Sequence, residues 1–384
     1  MEGFGVPKDE PKAVEWFEKA AVQSSPEGQY FLGAMYADGR GVSKDERKAV
    51  ELFRKAAEQG DADAQFMIAV MYAEGRGILK DEHEAVKWYQ KAADQGLAMA
   101  QHNLGKSYAK GCGVPKDERK AFELYQKAAE QGDAMAQGKL GIMYAEGSGV
   151  PKDECKSVEW LQKSAEQGHA SAQILLGGMY AKGDGVPQDK RNAFEWTKKA
   201  AEQGSAEAQG ILCKMYVEGD CVRKDDRKAA EWMLKAAAQG DADAQNHLGA
   251  MYYDGSGVSK DERKAVEWYQ KAADHGNADA QRNLGLAYED GRGVPQNERK
   301  AVECYQKAAE QGLVTAQGDL GFMYAEGRGV PKDDVRAYAW LSVAAASGYD
   351  AARVKLSELE SVITASRRGE AQDLAAEIFA SFKP

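Results

Sequence analysis

Several things are scarce in this chain of 384 residues. No run of about 18 apolar residues occurs, which excludes a helix that crosses a membrane. The opening residues, MEGFGVPKDE, have no basic segment followed by an apolar one, so no secretory leader is legible. Basic charge is in deficit: 51 Lys and Arg stand against 61 Asp and Glu, for a net charge of −10. Sequence-independent nucleic-acid binding needs a basic face that releases counterions, and adsorption to anionic lipid needs polybasic segments. Both are argued against. Cysteine is rare and odd in number: Cys112, Cys155, Cys213, Cys221 and Cys304. No two stand at a zinc spacing such as Cys-x-x-Cys, so free structural thiols are expected. β-branched residues are sparse beside alanine and glycine, which favours helix over strand.

Repetition is what the chain has in abundance. Gly-x-Gly-Val starts at Gly3, Gly39, Gly111, Gly147, Gly183, Gly255, Gly291 and Gly327, with an isoleucine variant at Gly75 and a cysteine variant at Gly219. Every spacing is 36 residues or a multiple of it, without insertion or deletion. Within the unit from Asp61 to Gly96, Ala64, Ile68, Ala69 and Tyr72 share one helical face, predicting a helix over about Ala62 to Glu74. Ala85, Trp88, Tyr89, Ala92 and Ala93 share another, predicting a second over about Glu82 to Gln95. Asp81 is the expected N-cap of the second helix, and Gly96 the expected left-handed residue that ends it. Both recur through the array, with Asn297 in the aspartate phase.

All seven tryptophans (Trp16, Trp88, Trp160, Trp196, Trp232, Trp268 and Trp340) fall in one phase of the second helix. They read as large residues packing each second helix on its neighbours rather than as a stacking ladder for ligands. Met35, Met71, Met143, Met179, Met215, Met251 and Met323 share one phase of the first helix and read as core filler.

A 36-residue helix pair with these signatures resembles the Sel-1-like repeat, a relative of the tetratricopeptide repeat with a longer loop inside each unit. Ala100, Leu104, Gly105, Tyr108, Gly111, Gly113, Val114, Asp117, Lys120, Ala121, Tyr125, Lys127, Ala128, Ala129 and Gly132 carry the resemblance in one unit, and it covers almost the whole chain. The resemblance implies an all-α, right-handed superhelical α–α solenoid of helix-turn-helix repeats, with first helices on the concave side. It also implies an adaptor that holds a protein or peptide, and points to a bacterial member. One secreted branch of the family carries paired cysteines and has been linked to β-lactam binding and hydrolysis. Those pairs should fall at Ala57-like positions, which are alanine here, so the chain is not read as an enzyme.

Residues 1–25 read as a partial repeat, loop plus second helix; residues 26–349 as nine full repeats; and residues 350–384 as closing helices. Leu356, Leu359, Val362 and Ile363 mark the first closing helix, and Ala371, Leu374, Ala375, Ile378 and Phe379 the apolar face of the last. Because the chain starts inside a repeat, its first edge predicts residues upstream of Met1 or a partner over that edge, including self-association. The compartment is left open.

No motif calls for a cofactor or a metal. Gly75-Arg76-Gly77 beside Lys80 lacks the rest of either nucleotide fingerprint and is followed by Asp81. His83, His102, His169, His247 and His275 lie in different units and do not pair along one helix. Acids end most first helices (Asp38, Glu74, Glu146, Glu218, Asp254, Asp290 and Glu326) and are expected to pair with nearby Arg40, Arg76 or Arg328. One face departs from this regularity. The first-helix positions in the phase of Phe66, Met67 and Val70 vary most between copies. Their offsets of 0, +1 and +4 put them on one side of the helix. Packed positions are held alike from copy to copy, so this face is the expected partner surface, lining the groove. Tyr30, Phe31, Phe66 and Met67 would form an apolar patch there, and His102, Asn103, Lys106 and Lys139 a polar continuation.

Overall fold

The computed structural model describes residues 9–382, and the loop at Gly3 lies outside them. The described residues form 21 helices and no strand. They divide into two compact units, Met1–Trp196 and Thr197–Pro384. In the first, second helices are α1 (Glu10–Val22), α3 (Glu46–Glu58), α5 (Glu82–Asp94), α7 (Glu118–Glu130) and α9 (Glu154–Glu166). First helices there are α2 (Pro26–Asp38), α4 (Ala62–Glu74), α6 (Ala98–Lys110), α8 (Ala134–Glu146) and α10 (Ala170–Lys182). Helix α11 (Lys190–Glu202) spans the unit boundary. The second unit holds first helices α12 (Ala206–Glu218), α14 (Ala242–Asp254), α16 (Ala278–Asp290) and α18 (Val314–Glu326). Its second helices are α13 (Asp226–Ala238), α15 (Glu262–Asp274), α17 (Glu298–Glu310) and α19 (Asp334–Ala346), and α20 (Asp350–Glu360) and α21 (Ala365–Ser381) follow. Within each unit successive helices pack on one another, as in a solenoid.

The local start and stop signals work as read. Asp61 opens α4 by accepting the Ala64 amide at 2.7 Å. Gly75 ends it at φ +72°, its N–H returned to the Met71 carbonyl. Asp81 opens α5 by accepting the amides of His83 and Glu84, both at 3.0 Å. Its own N–H donates to the Tyr72 carbonyl at 2.9 Å, closing the loop onto α4. At the far end, the Gly96 amide reaches Ala93 at 2.9 Å and the Leu97 amide reaches Ala92 at 3.2 Å. That is the paired closure of a Schellman motif, with Gly96 left-handed at φ +89°.

Packing explains the small residues. Leu104, Leu140, Leu212 and Leu248 are fully enclosed, each stabilising by about 2 kcal/mol. The glycine after each of several such leucines seats a large side chain of the paired second helix: a Cβ at Gly105 would lie 3.1 Å from the Tyr125 ring, and one at Gly33 3.0 Å from Phe53. The methionine phase is core, with Met71 and Met323 fully buried and Met179 half-buried. The tryptophan phase is more varied. Trp196 is buried, Trp16 is 67% exposed, and Trp88, Trp160, Trp232, Trp268 and Trp340 are half-buried. Lysine one turn later covers the outer ring face, with Lys91 Nζ 3.8 Å from the centre of Trp88 and Lys235 Nζ 3.7 Å from Trp232.

Three kinds of tie bind a repeat to the one before, the arginine one in three copies only among the described residues. The second glycine of the loop approaches the preceding second helix so closely that a Cβ at Gly77 would collide with the Glu46 carbonyl. Arginine in the same loop reaches that helix start: Arg40 to Glu10 at 3.0 Å, Arg76 to Glu46 at 3.2 Å and Arg328 to Glu298 at 3.1 Å. A buried glutamine in each first helix supplies the third. Gln137 donates to the Ala129 carbonyl of α7 at 3.1 Å and accepts from Gln167, which follows α9, at 2.8 Å. Gln29, Gln65, Gln101, Gln209 and Gln281 accept the same bond from a later glutamine, and in Gln245 the partner is His275. The series stops at Gln317, which donates to Ala309 but whose enclosed Oε1 has no partner.

Helices α20 and α21 pack on α19, where Val335, Tyr338, Ile363 and Ala371 enclose one another beside Leu356 and Leu374. Leu359 is buried too, whereas Val362 and Phe379 face outward.

Candidate functional site

The variable face lies on the first helices as its spacing requires, and the structure places its members in two different settings. Tyr30 and Phe31 sit on α2, where Phe31 stacks on Phe17 at 5.3 Å and Tyr30 meets Phe53 at 5.8 Å. Phe31 is 42% exposed; Tyr30 and Met67 are half-buried against the core around Phe53 and Ile68. Phe66 packs at 5.8 Å from Tyr89.

His102, Asn103, Lys106 and Lys139 come together around two adjoining recesses in the first unit. The smaller, of about 190 Å³, lies between α4, α5 and α6 and is lined by Asn103, Lys106, Lys110, Tyr89 and Cys112. The larger, of about 560 Å³, crosses α6, α8 and α10. Lys106 and Lys110 belong to both, so the two form one furrow with lysines at the join. Its far wall is apolar, made by Met135, Ile142 and Leu175, with Met135 51% exposed. A volume near 560 Å³ is in the range of sites that take a small ligand or a few side chains.

Charge in the furrow is uneven. Lys116 is held by Glu118 at 2.7 Å, and Glu146 accepts from the Ser148 hydroxyl at 3.5 Å. Lys106, Lys110 and Lys139 line the furrow with no acid within ion-pair distance. The two histidines lie on the floor. His102 is 7% exposed, edge-on to Tyr125 at 5.5 Å, with Nδ1 3.4 Å from Asp133 Oδ1. That approach is too long and poorly aligned for a hydrogen bond, so His102 Nδ1 is enclosed and unpartnered, as is His169 Nδ1. Burial would raise the Asp133 carboxyl, but the His102 ring and the Ala136 amide outweigh it and hold it below the usual range. Burial, then the Lys139 charge, pushes the His169 imidazole below its ordinary value. Burial likewise lifts the Tyr89 and Tyr125 phenols to about 12. His169 stands where other copies carry a capping aspartate or serine and caps nothing with its side chain. Gly138 lies beside its ring, whose Nδ1 is 3.6 Å from where a Cβ would be, an ordinary contact.

In the second unit the same face is satisfied from within. Arg282 pairs with Asp319 at 2.6 Å, and Asn283 donates to Asn246 at 3.0 Å. The buried Tyr305 hydroxyl donates to Glu289, which also holds Arg328 at 2.8 Å. The acids that end first helices pair in part: Glu74 with Arg76 at 3.5 Å, Asp290 with Arg292 at 3.3 Å and Glu326 with Arg328 at 3.7 Å. Arg40 instead reaches back to Glu10.

Leu175 falls in the Met67 phase of the variable face; Lys110, His169 and Met135 complete the furrow and escaped that reading, which followed three positions only. Their signal was departure from the array's own pattern: Lys110 replaces the acid that ends most first helices, and His169 replaces the usual cap. All five cysteines are free. Burial raises the thiols of Cys213 and Cys304 to about 11. Among the described residues no three His, Cys, Asp or Glu side chains converge as a metal-binding group, and no helix is long and apolar enough to cross a membrane.

The profile of the Sel1 repeat family matches residues 1–24, 26–61, 62–97, 98–133, 134–169, 170–205, 206–241, 242–277, 278–313 and 314–349. Among solved structures, the chain is similar to a protective antigen present in uropathogenic Escherichia coli strains and displaying an SLR fold. Identity is 36% and the TM-score 0.62, over 99% of this chain and 89% of that one. It is also similar to a Sel1 repeat protein from Oxalobacter formigenes, at 37% identity and TM-score 0.62, over 80% of this chain and 89% of that one. No curated protein matches the chain.

Proposed function

Since this chain belongs to the Sel1 repeat family, whose folds commonly mediate protein–protein interaction, we propose that it is a scaffold that binds a protein or peptide along the first-helix face of its first unit. The observation that carries this reading is the furrow across α6, α8 and α10, where unpaired lysines, an enclosed histidine and exposed apolar side chains meet. Most buried glutamines are satisfied within their own and the preceding repeat; the furrow lysines have no such partner. Sel1 repeats are generally scaffolds rather than enzymes, and the raised thiols of Cys213 and Cys304 are poor nucleophiles.

Selection of peptides from an unbiased displayed library against the purified chain tests the reading. Selected peptides are expected to slow amide exchange in α6, α8 and α10. Absence of any selected peptide, or protection confined to second helices, overturns it. The apolar members are tested separately: Tyr30→Ser with Phe66→Ser is expected to weaken capture of a long partner while leaving helicity intact. A second reading, self-association through α1, is favoured by Trp16 at 67% and Val22 at 86% exposure. Light scattering over a concentration series tests it, and a strict monomer counts against it.

A further inference from the structure

Resting on the reading that the first-helix face takes a polypeptide, we propose that the occupant of the furrow is an acidic peptide segment carrying a bulky apolar residue. Two independent observations point there. The first is charge. In a chain with a net charge of −10, Lys106, Lys110 and Lys139 line one cavity without an acid in ion-pair range. Some lysines elsewhere have a carboxylate in reach, as Lys80 does with Glu82 at 2.9 Å, and others, such as Lys55 and Lys307, do not; what sets these three apart is that they share one cavity. Leaving these three unpaired repels basic partners and rewards acidic ones, chiefly in encounter rate and specificity. The second is the apolar wall beside them, where Met135 and Leu175 stand exposed. His102 on the floor is more than nine-tenths buried with its Nδ1 enclosed against the Asp133 carboxylate at 3.4 Å, so the lysines are the groups that meet the acids of a ligand.

Apolar surface decides between a peptide and a nucleic acid. Met135 is 51% exposed and Leu175 40% exposed, and both face the same cavity as the lysines. Phosphate backbones gain nothing from such a wall, whereas one leucine- or phenylalanine-sized side chain set against it removes both from water. The lysines then hold the flanking carboxylates.

The test uses the full chain and short fluorescein-labelled peptides read by anisotropy. One peptide has a central Phe-Leu pair flanked by Asp and Glu; in a second the acids are lysine; in a third the Phe-Leu pair is serine. A labelled single-stranded oligonucleotide of similar length is the fourth probe. The first peptide is expected to bind at least about tenfold more tightly than each of the others. Lys106→Glu with Lys139→Glu is expected to weaken it by about tenfold or more and to flatten its salt dependence. Leu175→Ser is expected to weaken it by several-fold with the salt dependence kept. Lys55→Glu with Lys307→Glu carries the same charge change at exposed sites away from the furrow and is expected to bind as the parent does. Circular dichroism confirms that each variant is folded. Equal binding of the basic peptide, the serine peptide or the oligonucleotide overturns the proposal, as does unchanged binding by the furrow charge reversal or displacement of the peptide by a second copy of the chain. If library selection yields peptides on this face that lack acids, the scaffold reading stands and this one falls. If no peptide binds the face, both fall.

Discussion

Replacing Gln137 by leucine should destabilise the first unit, and the same replacement at Gln317 should not. Both residues occupy one phase of the first helix, and both are nearly fully buried, at 5% and 2% exposure. Helix propensity and shape therefore change alike at the two sites. What differs is bonding. Gln137 gives one bond to Ala129 and receives one from Gln167. Each is worth about 1 kcal/mol net, so about 2 kcal/mol is lost. No larger penalty follows, because the orphaned groups keep a partner: the Ala129 carbonyl still accepts the Gly132 amide at 3.0 Å, and Gln167 still donates to the Gly132 carbonyl at 3.1 Å. Gln317 makes one bond, to Ala309, and leaves Oε1 enclosed without a partner. Leucine there loses about 1 kcal/mol of bonding and removes a desolvated oxygen that costs about 1–3 kcal/mol, so its effect is neutral or stabilising. Repeat arrays unfold in parts, so local opening is the quantity to measure. Amide exchange followed by mass spectrometry reports it for α7–α9 and α17–α19 separately. A 2 kcal/mol loss accelerates exchange in α7–α9 by roughly 30-fold. Equal effects at the two sites, or a larger loss at Gln317, would refute the view that the glutamine series couples neighbouring repeats.

The loop glycines give a second contrast. Gly132→Ala should cost about 1 kcal/mol, from left-handed backbone alone, since nothing lies within 4 Å of its Cβ position. Gly149→Ala adds a collision with the Glu118 carbonyl and should cost about 3 kcal/mol; equal urea midpoints would remove the close-approach argument. His169 predicts a pH effect. Its imidazole is depressed in the folded state, so the unfolded chain binds the proton more readily. Stability is therefore full above the ordinary imidazole value of about 6.5 and declines as pH falls from there to the depressed value, then levels off. Urea midpoints of the parent should fall relative to His169→Asn across that window, and parallel profiles would contradict it. Among thiols, Cys213, buried and raised to about 11, should react with a disulfide reagent at pH near 8 at least about tenfold more slowly than exposed Cys155; comparable rates by mass spectrometry would show that the enclosure is not maintained.

Helix boundaries and caps were legible because each rests on neighbours in sequence. Asp81 caps the amides two and three residues on, and Gly96 ends a helix through bonds that stay within six residues. The methionine phase was legible for the same reason, since one helical period decides which face is buried. The ties between repeats were not. Gln137 is polar on a buried stripe, and periodicity alone assigns such a residue no partner; its bond to Gln167 crosses 30 residues. Its recurrence in every copy was the available clue. The furrow was half legible. Variation between copies picked out His102, Asn103, Lys106 and Lys139, but it could not distinguish lysines left unpaired in the first unit from Arg282, which Asp319 neutralises in the second. Pairing across repeats depends on which residues two successive copies place face to face.

Each tie between neighbours joins residues a fixed distance apart: 8 for the glutamine bond to the preceding helix, 30 for the arginine bond and 31 for the glycine contact. Loss or gain of a whole 36-residue unit moves both ends of every such bond together and restores each contact with an equivalent partner. An insertion of another length inside one of these spans puts that tie out of register. Unequal crossing-over between copies of the coding sequence can therefore lengthen or shorten the protein in whole-unit steps that keep these ties in register. Such exchange would also shuffle the unpaired lysines of one repeat beside the face of another, so that new binding surfaces arise without any change to the core.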